Sequence, residues 1–418
     1  MRPEMRVLHV VTAFPRHPDD VITPWLWQTL RALRREGVAC EVLAPAYRGN
    51  GREAAGDLPV HRFRYASPAR LETLTHDETT PDRLGRNPAY ALLLPGYVAA
   101  GCLAAARLQR RRGYDAVHVH WAVPHGLMGL AARAAGARAL VTTFYGAELR
   151  WAESRFPPAR SFLKVYCRGG TLVAISSDTA RWLARYTARP VHVVPYPSAL
   201  PDVAPGRVGR GGDATVLFVG RLVARKGVAN LLRAAALPGR SFRVEVVGFG
   251  PEERPLRALA TELRLGDRVE FAGRVSAADL ARRYAAAEVF ALPATVDARG
   301  DTEGLGVVLL EALAHGVPVV ATRRGGISDI VQDGETGLLV EDDEPRSLRA
   351  AIERLLEDPA LARRLAEAGA ERVRREFSAQ AVAARLAAVY RDAAGARGED
   401  PARAGAVAAG PAARGSGR

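Results

Sequence analysis

The segments VFALP at residues 289–293 and DTEGLGVVLLEALAHGVPVV at residues 301–320 decide the fold. Val289–Leu292 is a short apolar run of β type, closed by Pro293, which cannot donate to a sheet ladder. A loop with two glycines, Gly304 and Gly306, then opens an apolar-rich helix predicted over Val307–His315. Gly316 supplies the left-handed residue that ends this helix, and Pro318 stops it from continuing. The next apolar run, Val317–Ala321, reads as a second strand. Strand, crossover helix and strand form the unit of a parallel sheet, whose ligands collect beyond the carboxyl ends of the strands.

The same alternation runs through the chain. Further strand candidates are Arg6–Val11, Ala39–Leu43, Ala116–His120, Ala139–Thr143, Thr171–Ile175, Val191–Val194, Ala214–Val219, Arg243–Val247 and Val269–Ala272. Helical patterns between them include Trp25–Glu36, Leu127–Ala135, Asp178–Tyr186, Val228–Ala236, Ala277–Ala287 and Ser347–Leu356. Near-continuous apolar strands separated by helices predict an α/β protein whose parallel sheets are covered on both faces. A chain of 418 residues exceeds what one core usually serves. Two domains are therefore expected, at 1–195 and 214–376, joined by a Pro/Gly-rich linker at 196–213. A last helix is expected within 377–392. Residues 393–418 are Ala/Gly/Arg/Pro without apolar periodicity and are expected to be disordered.

Cys40, Cys102 and Cys167 are too widely spaced for a metal or redox motif. No apolar leader precedes the Arg6–Val11 run, so a reduced, cytoplasmic setting is expected. Charge is unevenly placed. Residues 1–200 hold 27 Arg plus Lys against 15 Asp plus Glu, a net of +12, while the whole chain is +14. A basic first half suits an anionic membrane surface or an anionic substrate; a nucleic-acid partner is not expected. The apolar stretch Ala89–Ala106 contains Pro95 and Gly96 and falls short of the roughly 20 residues that a bilayer needs. It reads as a buried or surface-lying helix.

Chemistry is expected at the strand ends. Phe218–Leu222 leads through Gly220 and Arg221 to Lys226–Gly227 and a helix. A planar guanidinium and a compact ammonium both suit phosphate oxygens. The choice of lysine carries information, because the chain has 57 arginines and only two lysines, Lys164 and Lys226. The glycine loop Gly304–Leu305–Gly306 offers free N–H groups and the positive end of a helix dipole, which suits a diphosphate. Glu303 lies just ahead of that helix. Glu311 lies about two turns inside it among Val307, Leu309, Leu310 and Leu313, where a buried carboxylate needs a partner such as a sugar hydroxyl pair. Gly248, Arg274 and Val275, at two further strand ends, are weaker candidates, and no G-x-G-x-x-G fingerprint is present. His118 and His120 share one side of the strand Ala116–His120. No other ligand clusters near them in sequence, so a zinc site is not expected.

Together these segments resemble the retaining glycosyltransferases of family four, which have the GT-B fold. The likeness is best over Thr215–Val340. It rests on FVGRL at 218–222 followed by Lys226–Gly227, on Glu303 and Glu311 with seven residues between them, on ALAHGVPVV at 312–320, on Gly325–Gly326 and on GETGL at 334–338. The resemblance implies two facing Rossmann-like domains, the second holding a nucleotide-sugar donor and the first most of the acceptor. Arg221 and Lys226 would bind the donor diphosphate. Glu311 would hold the ribose hydroxyls, and Glu303 the transferred sugar, beside the N–H groups of Gly304–Gly306. Gly220, Gly248, Arg274 and Val275 would complete the donor pocket, and His120 would approach the sugar from the first domain. Arg221, Lys226, Glu303 and His120 are thus the implied catalytic set. The implied reaction retains configuration and needs no metal or cofactor.

The first half departs from the family pattern. Phe14–Asp20 replaces a glycine pair, and Tyr145–Gly146 stands where a histidine–glycine pair is common, with Glu148 following. Asp20, Tyr145 and Glu148 are therefore the acceptor-side candidates. The expected reaction carries a hexose from a UDP- or GDP-sugar to a hydroxyl of a lipid-linked or cell-envelope glycan, at the inner face of the membrane. A small secondary-metabolite acceptor, or a non-catalytic sugar- or membrane-binding role, stays open. A pyridoxal-phosphate phosphorylase is disfavoured because neither lysine has a suitable context. A glycosidase pair is disfavoured because Glu303 and Glu311 would stand about 12 Å apart.

Overall fold

A computed structural model describes residues 4–16, 22–49, 58–76, 80–154, 157–197, 214–298, 300–341 and 344–395. The predicted linker beyond residue 197 and the predicted tail beyond residue 395 lie outside the described residues.

Seven strands build the first sheet: β1 (Met5–Val10), β2 (Val38–Pro45), β3 (Val60–Phe63), β4 (Ala116–His120), β5 (Ala139–Phe144), β6 (Thr171–Ala174) and β7 (Val191–Val193). Their order is β3-β2-β1-β4-β5-β6-β7. Six build the second: β8 (Thr215–Val219), β9 (Arg243–Val247), β10 (Val269–Gly273), β11 (Val289–Leu292), β12 (Val319–Thr322) and β13 (Leu338–Val340), in the order β10-β9-β8-β11-β12-β13. The strand pairings within both sheets are parallel. The edge strands β3, with His61 and Arg62 inside it, and β13, only three residues long, were not among the runs marked from sequence. β12 starts at Val319 rather than Val317, because Pro318 contributes a carbonyl, to Phe290 N, but no donor.

Strand order reverses between β1 and β4 in the first sheet and between β8 and β11 in the second. Such switch points are where open α/β sheets take ligands. Alternate residues of the first sheet feed cores on opposite faces: Leu8, Val10, Val117 and Val119 on one, Val7, Val11 and Ala116 on the other. The helix Ala379–Gly395, last in the chain, returns to the second of these faces and buries Val382, Leu386, Val389 and Tyr390 against it.

The apolar segment is the surface-lying helix expected, but a longer one. A short 3-10 turn, Pro88–Leu93, runs into the helix Leu94–Arg112 without a break. Pro95 sits in the first helical turn, where its missing N–H is not needed. The helical stretch Pro88–Arg112 is 25 residues, long and apolar enough by length and composition to cross a membrane. Only one stripe of it is covered: Tyr97, Gly101, Ala105 and Gln109 recur every four residues and face the helix Ala122–Ala134. At Gly101 a Cβ would stand 2.3 Å from Met128 Cε, so the Met128 side chain packs directly onto the bare backbone of the longer helix.

The carboxyl edges of the two sheets face each other. Ile175, just past β6, is buried in the core of the second domain. Ser177 gives its N–H and its hydroxyl to the two carboxylate oxygens of Asp329, each at 2.6 Å. Arg150 and Asp301 form a further ion pair across the cleft at 2.6 Å.

Candidate active site

At the second switch point, β8 is followed by Gly220 and β11 by Pro293, and the loops that begin there are pressed together. At Gly227 (φ +68°) an added Cβ would stand 1.7 Å from the Pro293 carbonyl oxygen; at Gly248 (φ +135°) it would stand 1.9 Å from the Gly220 carbonyl oxygen. No residue with a side chain fits either position. This close approach carries Lys226 under the loop that holds Glu303. The Lys226 ammonium donates to Glu303 Oε2, and Arg225 lies 3.7 Å from the same oxygen. Both Lys226 and Glu303 are 8% exposed. Burial alone would push the Glu303 carboxyl up, but Lys226 first and Arg225 second hold it below the ordinary carboxylate range.

Gly306, in the left-handed region, begins the helix Val307–Ala314, whose first turn carries N–H groups without intrahelical partners. A Cβ on Gly306 would stand 3.6 Å from Glu303 Cγ, so the helix starts beside the same carboxylate. The loop Glu303–Gly304 is clasped from behind by Gly326, whose N–H donates to Glu303 O at 3.1 Å. Glu311 finds its partner inside the protein: the Tyr284 hydroxyl donates to Oε2 at 2.9 Å. Burial raises the Glu311 carboxyl to about 7 despite that bond and the charge of Lys226. Arg221 follows Gly220 and is exposed. Arg274 is exposed and lays its guanidinium 3.6 Å from the centre of the Phe249 ring, while Val275 packs half-buried against the domain core.

Across the cleft, His120 ends β4 as expected, but with a companion the sequence hid. The register of β1 on β4 sets His9 opposite His118. His9, His118 and His120 are buried, with one ring nitrogen from each lying within 4.8 Å of the other two. The expectation that no further ligand clusters with the histidine pair is thereby corrected: His9 is 111 residues away in sequence, and only strand pairing brings it in. Five of the six ring nitrogens already hold hydrogen bonds. His118 contacts the Tyr390 hydroxyl and Thr143 Oγ1, both at 2.7 Å. His120 contacts His9 Nδ1 at 3.2 Å and the Tyr145 hydroxyl at 2.7 Å. Burial, then the neighbouring His125, lowers His120 to about 3, so the ring is neutral.

Tyr145 is half-buried among Trp25, Trp121 and Tyr196. Its backbone carbonyl stands 3.5 Å from where a Cβ on Gly304 would be, which joins the two halves of the site. Tyr196 reaches the charged side of the cleft: burial, then the Glu303 carboxylate, raises its phenol. Glu148, named above for the acceptor side, is 1% exposed and turns onto its own loop, accepting from Tyr145 N at 2.8 Å. Asp20 lies outside the described residues. Arg225, Tyr284, Tyr196 and His9 were not marked from sequence. Arg225 was legible as the neighbour of Lys226; the others are assembled by tertiary packing.

Family models describe both halves. "Glycosyltransferase Family 4" matches residues 25–197, and "Glycosyl transferases group 1" matches residues 207–372. A GDP-mannose-dependent alpha-(1-6)-phosphatidylinositol monomannoside mannosyltransferase of Mycolicibacterium smegmatis is 34% identical over 69% of this chain and 78% of its own. A GDP-mannose-dependent monoacylated alpha-(1-6)-phosphatidylinositol monomannoside mannosyltransferase of Corynebacterium glutamicum is 33% identical over 75% of this chain and 85% of its own. In fold, sucrose-phosphate synthase from Thermosynechococcus elongatus superposes with a TM-score of 0.71 over 94% of this chain and 100% of its own, at 24% identity. Anabaena HepE, solved with UDP and glucose, superposes with a TM-score of 0.66 over 93% and 100%, at 19% identity. The chain is a nucleotide-sugar glycosyltransferase with the GT-B fold, and it belongs to glycosyltransferase family 4.

Proposed function

We propose that the protein moves mannose from GDP-mannose to a hydroxyl of a lipid-anchored inositol glycan, with retention and without a metal, at a membrane surface. The observation that carries the transfer reading is the buried Lys226–Glu303 pair beside the Gly306 helix start. Lys226 and Arg225 outweigh the single carboxylate they share, so this corner of the cleft is net positive. Charge grows on a nucleotide diphosphate as the glycosidic bond breaks. Lys226, Arg221 and the first N–H groups of the helix Val307–Ala314 would take up that charge, which is electrostatic catalysis without a covalent step. Glu303 keeps an ionised carboxylate for hydroxyls of the transferred sugar. Glu311 and the Arg274–Val275 loop form the nucleoside end of the same pocket.

Two observations favour GDP-mannose and a lipid-anchored acceptor. The relatives whose names specify both substrates align over most of their length. The uncovered face of the helix Leu94–Arg112, with the turn before it, presents Leu92 (83% exposed) and Leu103 (50% exposed). Arg107, Arg110, Arg111 and Arg112 follow on exposed positions. An apolar strip ending in four cations suits the surface of an anionic bilayer.

Purified protein incubated with GDP-mannose or UDP-glucose, and with a phosphatidylinositol mannoside in anionic vesicles or a water-soluble inositol glycan, tests this. The expected result is α-mannosyl transfer from GDP-mannose to the vesicle acceptor, undiminished by EDTA. Transfer from UDP-glucose alone, or to a soluble aglycone alone, overturns the substrate assignment. No transfer from any nucleotide sugar favours a binding role.

A further inference from the structure

The pairing of β1 with β4 links three groups in a row: His9 Nδ1 to His120 Nε2 at 3.2 Å, and His120 Nδ1 to the Tyr145 hydroxyl at 2.7 Å. His9 is wholly buried, and its Nε2 has no hydrogen-bond partner among the described residues. Burial holds both rings neutral, so each carries one proton and the row can be filled in two ways.

In the first, Tyr145 donates to His120 Nδ1, His120 donates from Nε2 to His9 Nδ1, and the His9 proton is left on Nε2. That proton is then a buried N–H without an acceptor. In the second, His9 donates from Nδ1 to His120 Nε2, and His120 donates from Nδ1 to the Tyr145 oxygen. Only an acceptor lone pair on His9 then goes unmet. An orphaned buried donor is rarer and costlier than an unmet acceptor. The second filling is preferred.

We propose that His9 is a positioning residue for transfer: it fixes His120 with its proton on Nδ1 and so frees the Tyr145 hydroxyl to donate into the cleft, to an oxygen of the bound sugar. Tyr145 is placed for this, half-buried at the seam between the domains, with its backbone against Gly304 and its ring against Tyr196. The sugar as recipient rests on the glycosyl-transfer reading above; the proton assignment does not.

Nitrogen-15 spectra of the histidine rings in the full chain at neutral pH read the assignment directly. The expected signature is His120 protonated on Nδ1 and His9 protonated on Nδ1. A His120 ring protonated on Nε2 overturns the proposal, whatever the transfer assay gives. Next, His9→Leu removes the donor, and His9→Asn restores an N–H near the position of Nδ1. His9→Leu is expected to release the His120 tautomer and to lower kcat/KM about tenfold, the scale of one hydrogen bond. His9→Asn is expected to recover both. Tyr145→Phe is expected to cost a similar factor, with little further loss when combined with His9→Leu. Equal defects in His9→Leu and His9→Asn, or losses that multiply in the double variant, overturn it. Unaltered spectra alongside a chain that transfers no sugar would instead sink the substrate reading and keep the tautomer.

Discussion

The Lys226 ammonium and the Glu303 carboxylate are buried against each other across the second switch point, with Arg225 3.7 Å from the shared oxygen. Two loops 77 residues apart are thereby locked before any donor arrives. A buried pair is costly to assemble and far costlier to break on one side only, because the survivor is left charged in a poor solvent. On the reading proposed above, the pair preorganises the diphosphate end of the cleft and also reports on its integrity.

Lys226→Met keeps the stem and strands the carboxylate. The expected loss is about 3 kcal/mol of stability at pH 8, at the low end for a broken buried pair because Arg225 remains. Glu303 now sits below its ordinary range, so its contribution is present above the unfolded value and is lost as pH falls. Without Lys226 the carboxyl should move up, and the variant's deficit should shrink between pH 8 and pH 5. Urea titrations at the two pH values check this. Transfer should fall at least 100-fold, and the double variant Lys226→Met/Glu303→Gln should recover stability but not activity.

Glu148 points the other way. Burial raises its carboxyl to about 7 against the backbone bonds that it accepts. A raised carboxyl stabilises below its unfolded value, near 4.5, and that contribution disappears as pH climbs through about 7. Glu148→Gln resembles the protonated form, so it should match the wild type near pH 5. It should gain on the wild type at pH 8, by on the order of 3 kcal/mol if the whole shift is released. A thermal melt of both proteins across pH 5–8 is the measurement. A variant equally destabilised at every pH would show that the carboxylate is required as such.

How much of this was legible follows a physical line. Local signals found β11, the glycine loop and the helix Val307–Ala314 almost to the residue, since proline, glycine and apolar runs act within a few positions. The same signals placed Lys226 and Glu303, each at a strand end. They could not show that the two touch, because the backbone contact between Gly227 and Pro293 is a tertiary fact. His9 was hidden for the same reason: an isolated histidine in an apolar strand carries no local signature until β4 lies beside it. Tyr284 was hidden too, so the need of Glu311 for a partner was legible and the partner was not. The apolar helix was legible as a surface element but not in its length, because at Pro95 local rules allow either a break or a first turn.

Gly227→Ala tests how tightly the site is wound. The residue holds φ at +68°, and a methyl would meet the Pro293 carbonyl oxygen at 1.7 Å. The left-handed backbone alone costs about 1–3 kcal/mol, and the overlap must also push the Lys226 loop away from Glu303. Activity is expected to fall further than stability, with kcat/KM down at least tenfold in protein that still melts cooperatively. A variant that loses stability but keeps its kcat/KM would mean that the contact braces the fold and not the charged pair.

Asp329 should set how firmly the cleft closes. Its two oxygens take the N–H and the hydroxyl of Ser177, so the first domain is held by one carboxylate through two bonds of 2.6 Å. Ser177→Ala removes the hydroxyl and leaves the N–H bond, whereas Asp329→Ala removes both. Hydrogen bonds to a charged group contribute about 1.5–3 kcal/mol each. Neither residue belongs to the charged pair, so the loss should appear as domain opening. The expected order is a small rise in donor KM for Ser177→Ala and a larger one for Asp329→Ala, with small-angle scattering reporting an increased radius of gyration in the same order. The Arg150–Asp301 pair would still span the cleft in both variants, so opening should be partial, and adding Asp301→Ala to Asp329→Ala should complete it. If Ser177→Ala and Asp329→Ala open the molecule equally, the backbone N–H contributes nothing and the hydroxyl alone is the latch.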